Sequence, residues 1–208
     1  MRKTIVACAL GFGGILNAQT LQETIKKTEN ENFDAAASNF RALILREPTK
    51  GENFFYYGEN FFKSGDADSA NIFYQKGADV NATNPLNYVG LGKVLLSKGN
   101  VAEAKTQFYK AATLGAKNTE VMRKIAEAWL VTDNKNADEA LVLANAAVKA
   151  ESKNPENHIL LGDALLEKNP TDGSLPIKSY KTATTLNPKS SKGILREGKL
   201  YQRGRNYN

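Results

Sequence analysis

His158 is the only histidine and Cys8 the only cysteine among 208 residues. The two side chains most used for nucleophilic attack, metal ligation and proton transfer near neutral pH therefore occur once each and far apart. A histidine acts as a base or ligand in the company of an orienting partner, and His158 has none in its neighbourhood of the sequence. It falls where neighbouring segments carry Phe54 and Tyr88, so it reads as a packing residue. Gly11-Phe12-Gly13-Gly14 is rich in glycine but has neither the spacing of a phosphate-binding loop nor that of a dinucleotide fold. Asp and Glu are spread over what read as exposed helix faces, with no cluster at metal-ligand spacing. The expectation is a chain with no catalytic, metal-ligating or cofactor-binding residue, and not an enzyme.

The elements around these residues fall into two parts. Residues 1–18 run from Arg2 and Lys3 through an apolar stretch between Ile5 and Leu16 to Asn17-Ala18. This is the charged, apolar, small-residue order of a secretory signal peptide, and the apolar stretch is too short for a membrane anchor. Ile5-Val6-Ala7-Cys8 has the local look of a lipoprotein cleavage site, but too few apolar residues precede Cys8. The expectation is export to the periplasm or cell envelope, with a mature chain that begins near Gln19 and has no integral membrane span. Loss of the leader would remove the lone thiol and two positive charges from a formal net charge of +6. The mild remaining charge is interspersed with acidic residues, which argues against a nucleic-acid partner. The chain is 41% hydrophobic and 24% charged, enough apolar content to fold rather than stay disordered.

The second part is repetitive. Gly58, Gly92, Ala126, Gly162 and Gly198 fall at spacings of 34, 34, 36 and 36 residues, each within a similar apolar hexapeptide such as Leu91–Leu96, "LGKVLL". Downstream of each of the first four, a second motif places a small residue, then positions four and seven later on the same helical face. These triplets are Ala70/Tyr74/Gly77, Ala104/Phe108/Ala111, Ala140/Ala144/Ala147 and Pro176/Tyr180/Ala183. Ala36/Phe40/Leu43 supplies an upstream copy. Gly, Asn and Asp between the two motifs stop one helix and cap the next. Pro85 and Pro155 read as first residues of helices. Each unit is thus a helix, a turn and a second helix. A glycine inside the first helix is explained if the second helix crosses it closely, whereas Gly51 is expected in the turn between units.

This pattern resembles the tetratricopeptide repeat family, most clearly at Tyr88, Leu91, Gly92, Leu95, Ala104, Phe108 and Ala111. The resemblance covers about residues 20–208. It implies an all-α fold, a right-handed α-α superhelix over residues 19–208. The units are 19–50, 51–84, 85–118, 119–154, 155–190 and a partial one at 191–208. The repeat-packing residues are then Gly58, Gly92, Ala126, Gly162, Gly198, Ala70, Ala104 and Ala140.

In that family, first helices line a concave groove that binds a protein or peptide segment. Carried over, the resemblance implies groove positions Phe55, Tyr56, Glu59 and Phe62 on one first helix and Leu86, Val89, Lys93 and Leu96 on the next. Arg123, Glu127 and Leu130 follow, then Ile159, Asp163 and Leu166. Phe54, Tyr57 and Phe61 already supply one apolar stripe for the core, so Phe55, Tyr56 and Phe62 form a second stripe that something else must cover. A Lys/Asn/Arg clamp for a C-terminal carboxylate is not expected, because Tyr56, Glu59 and Gly90 stand where its polar members belong.

The expected function is a non-enzymatic interaction scaffold. The alternative is a structural spacer in a larger cell-envelope protein. Two units carry two extra residues between their helices, read as tolerated loop insertions. Residues 191–208 contain a first helix with no second helix after it, which suggests a fragment of a longer repeat protein, or else a short capping helix.

Overall fold

The structure, a computed structural model, describes residues 20–205. The expected leader lies outside them. Eleven helices make up the described chain: α1 (Leu21–Glu29), α2 (Phe33–Arg46), α3 (Gly51–Lys63), α4 (Ala67–Val80), α5 (Pro85–Ser97), α6 (Val101–Leu114), α7 (Thr119–Val131), α8 (Ala137–Ala150), α9 (Pro155–Lys168), α10 (Ser174–Leu186) and α11 (Ser191–Arg205). Among the described residues no helix is long and apolar enough to cross a membrane.

Local chemistry sets the helix ends. Asn84, Asn118 and Asn154 occupy the same register and cap α5, α7 and α9, each side chain accepting from a backbone N–H of the first turn. Pro85 and Pro155 follow directly, where a missing N–H is harmless. Gly65 and Gly99 turn the chain between helices at φ +90° and +81°, a region that side-chain-bearing residues seldom adopt. Gly51, expected in a turn, is instead the first residue of α3 and is buried. Its carbonyl accepts from the Asn87 amide at 3.0 Å, so this position is fixed by the following unit.

The helices pack in pairs, α1/α2 through α9/α10, with α11 after the last pair. Each odd-numbered helix also touches the next odd-numbered one, whereas no even-numbered helix touches the next even-numbered one. Odd helices therefore form an inner layer and even helices an outer layer, and the stack curves toward the inner side. Curvature brings non-neighbouring units together there: the Tyr56 hydroxyl of α3 donates to Glu120 of α7 at 2.6 Å, past the whole intervening unit.

The glycines lie at the close crossings. A methyl group at Gly58 or Gly162 would overlap the ring of Tyr74 or Tyr180, and one at Gly92 would overlap Phe108. Gly90 was not singled out in the sequence, yet a methyl there would also overlap Tyr74. The Tyr74 ring thus sits between two glycines of successive inner helices. Where the outer helix offers only Ala144, the slot holds Ala126, and both are fully buried. In the first unit the slot is Thr24. Glycine within a helix costs roughly 0.5–1 kcal/mol, and burying an aromatic ring returns about 1.5–3 kcal/mol.

Buried asparagines join the units. The Asn157 amide donates to Ala147 O at 2.9 Å and Glu151 O at 3.1 Å, satisfying carbonyls at the end of α8 that no intrahelical N–H reaches. Asn53 and Asn87 stand in the same register and are also fully buried. His158 is half-buried. Its Nε2–H donates to Ser152 O at 2.7 Å, as the Tyr88 hydroxyl does to Ala82 O at 3.1 Å one register earlier. One of the inserted turns is knitted into the fold, since Asn134 donates to Leu96 O at 2.7 Å.

Candidate interaction groove

The inner layer encloses an open groove of about 880 Å³. Apart from Glu29 and Asn30 at the end of α1 and Lys189–Ser190 before α11, its lining comes from α3, α5, α7, α9 and α11. No outer-helix residue reaches it, as the two-layer packing requires.

Six of the ten residues expected at the groove line it: Phe55, Glu59, Phe62, Val89, Lys93 and Glu127. Tyr56, Leu86, Leu96 and Arg123 lie elsewhere. Leu96 is fully buried at the end of α5, beneath the Asn134 turn. Arg123 turns to the joint between units, its Nη1 donating to Asn157 Oδ1 at 3.4 Å. The second aromatic stripe of α3, expected to need outside cover, is largely core. Phe55 is 1% exposed, with its ring 5.8 Å from Tyr74 and 5.0 Å from Tyr56. The reason is that an interior inner helix is flanked by its own outer helix and by inner helices on both sides, so one apolar stripe does not cover its contacts.

Charged side chains that neutralise one another form the groove floor. The residue after each slot position is charged in four consecutive inner helices: Glu59, Lys93, Glu127 and Asp163. Lys93 pairs with Glu59, both nearly buried, and the Tyr74 hydroxyl donates to the same Glu59 oxygen at 2.5 Å. Burial pushes the Glu59 carboxyl up, but Lys93 and Lys124 outweigh it and hold the group below the usual carboxylate range. Burial pulls the Lys93 ammonium below the ordinary lysine value against the opposing effect of Glu59. The Lys93 ammonium also lies 4.3 Å from the centre of the Phe62 ring.

Farther along, Lys124 pairs with Glu127 at 3.0 Å, and Lys192 of α11 lies 3.9 Å from Glu127 and 3.2 Å from Glu156. Burial again raises the Glu127 carboxyl, and Lys124 and Lys192 more than offset it, bringing it down to about 2. Arg196 holds Asp163 through two hydrogen bonds of 2.7 and 3.2 Å, and Tyr180 donates to Asp163 at 2.8 Å. Glu59 with Tyr74 and Asp163 with Tyr180 are thus the same device in two units. Lys124, Lys192 and Arg196 were not anticipated as groove residues. The charge following each slot is visible in the sequence, but its partner on the next helix depends on curvature.

Apolar surface remains along the walls: Phe62 and Leu130 are half-buried and Val131 is 62% exposed. The charged groups are committed to one another, and no nucleophile stands beside a base. Among the described residues no group of three His, Cys, Asp or Glu side chains is placed to hold a metal ion. What the arrangement offers is a preformed, largely neutral trough with apolar walls.

The chain matches no protein-family model and no curated protein. Solved structures do match. The chain is similar to TTC0263, a thermophilic TPR protein in Thermus thermophilus, at a TM-score of 0.70 and 17% identity over 89% of this chain and 98% of that one. It is similar to yeast Tom70 at 0.63 and 15% identity, over 88% of this chain and 39% of Tom70. Human IFIT1, solved as a dimer with m7Gppp-AAAA, matches at 0.62 and 15% identity over 91% of this chain and 47% of that one. At these identities the likeness concerns the fold, and the fold is that of a tetratricopeptide-repeat solenoid.

Proposed function

We propose that this chain is a non-enzymatic interaction scaffold that holds an extended or helical protein segment in the groove of the inner layer. The observation that carries this reading is the open trough of about 880 Å³ lined almost wholly by inner helices. Its floor charges are paired within the protein, so an uncharged or mixed segment can enter without stranding a buried ion. The same pairing disfavours a nucleic-acid backbone, which needs uncommitted cations. Residues 1–18 support placing this scaffold in the periplasm or cell envelope, where mass spectrometry of the native protein should find a terminus near Gln19. An intact Met1 on protein from the cytoplasm would overturn that placement.

Selection of displayed peptides on the purified chain tests the groove. Peptides that bind should lose about tenfold or more in affinity to Val131→Arg on the groove wall. They should be indifferent to Tyr109→Ala on the outer face. Failure to select any peptide, or peptides insensitive to Val131→Arg, would overturn the reading.

A further inference from the structure

The inner helix α11 has an open slot. Gly198 stands in the register of Gly58, Gly92 and Gly162. Each of those three is met by an aromatic ring of the outer helix that follows, whereas no atom from outside α11 lies within 4 Å of the position a methyl at Gly198 would take. A glycine in a helix interior carries a conformational cost, and at Gly198 no ring contact within the described residues offsets it. The residues on either side repeat the pattern. Ile194, Gly198 and Tyr201 correspond to Phe54, Gly58 and Phe61, the stripe of α3 that α4 covers. Phe61 stacks on Phe73 of α4 with ring centres 5.3 Å apart, but Ile194 is 53% and Tyr201 49% exposed. The face is therefore half of an interface that the chain builds in full at α3/α4, α5/α6 and α9/α10.

We propose that the Ile194/Gly198/Tyr201 face docks an amphipathic helix of a partner protein, which inserts a Tyr or Phe ring at Gly198. The internal repeats define the chemistry of that helix. It carries a small residue, an aromatic four later and a small residue three after that, as in Ala70/Tyr74/Gly77 and Ala104/Phe108/Ala111. Its polar side is acidic, because Ser191–Arg205 holds five Lys and Arg residues against Glu197 alone. That charge also opposes pairing of two copies through α11. This surface lies outside the groove, so it neither requires nor duplicates the groove reading.

The probe is a hydrocarbon-stapled peptide with the sequence of residues 67–80, held helical because a free peptide of this length is marginally helical in water. It carries the aromatic knob of Tyr74, together with Asp68 and Asp79 against Lys76. Fluorescence anisotropy with the full chain should show saturable binding, weakened at least about tenfold by Gly198→Leu in the protein or by Tyr74→Ala in the peptide. Gly198→Leu should leave the thermal midpoint of the protein unchanged, since the slot is empty. No binding of the stapled helix, or binding indifferent to both changes, overturns the proposal. So does a large fall in thermal midpoint for Gly198→Leu, which would mean that the chain fills its own slot. A concentration-dependent dimer abolished by Gly198→Leu would assign the face to a second copy and likewise overturn it.

Discussion

Lys93 and Glu59 stand one repeat apart in sequence and form an ion pair on the groove floor, with side chains only 9% and 11% exposed. The Tyr74 hydroxyl completes the site from the outer layer. Three elements are thereby tied at one carboxylate: α3, its own outer helix α4, and the next inner helix α5.

Breaking that pair from one side should be costly. Lys93→Met leaves Glu59 buried without its cation, and losses of this kind run to about 3–5 kcal/mol. Glu59→Gln combined with Lys93→Met should recover a substantial part, because no charge is then stranded. Urea denaturation of the two single variants and the double variant measures this. Additive losses would show that the two residues do not act as a pair.

Glycine substitutions should sort by what faces them. Gly92→Leu drives a side chain into the Phe108 ring and should cost about 1–3 kcal/mol. Gly99→Ala meets nothing within 4 Å but sits at φ +81°, so its loss, on the order of 1 kcal/mol, comes from the backbone. Thermal melts of both variants, with Ser97→Ala as a nearby control, distinguish the two causes.

The joint between the fourth and fifth units should depend on Asn157. Replacing it with Val, the residue found in this register at Val121, removes the donor to Ala147 O and Glu151 O. The expected loss is about 1–3 kcal/mol. Hydrogen exchange should show it first at the end of α8 and the start of α9. Unchanged protection there would refute the assignment.

Acid should loosen the groove. The Glu127 carboxyl is held at about 2 in the fold against an ordinary 4.5, and Glu59 is shifted in the same direction. A carboxyl with a depressed folded-state pKa contributes stability that is complete above the unfolded value. That contribution fades as the pH falls from about 4.5 toward 2. Chemical denaturation across this window should show stability falling with pH, and Glu127→Gln should flatten the slope. An unchanged slope in the variant would remove Glu127 from the account.

The sequence by itself determined the repeat. Side chains on one face of a helix recur at fixed offsets, and each unit repeats the same crossing, so the slots at Gly58, Gly92, Ala126 and Gly162 and the rings facing them were legible from spacing alone. The capping residues were legible for the same reason, because a cap acts on its own first turn. The tertiary structure decided what depends on curvature. Only there does Gly90 meet Tyr74, Phe55 become core, Leu96 disappear beneath the Asn134 turn, and Lys192 reach Glu127 across an intervening unit. Helix periodicity specifies which residues share a face. It does not specify how far successive units rotate, and that rotation decides which faces meet, which charges pair and which slot remains open.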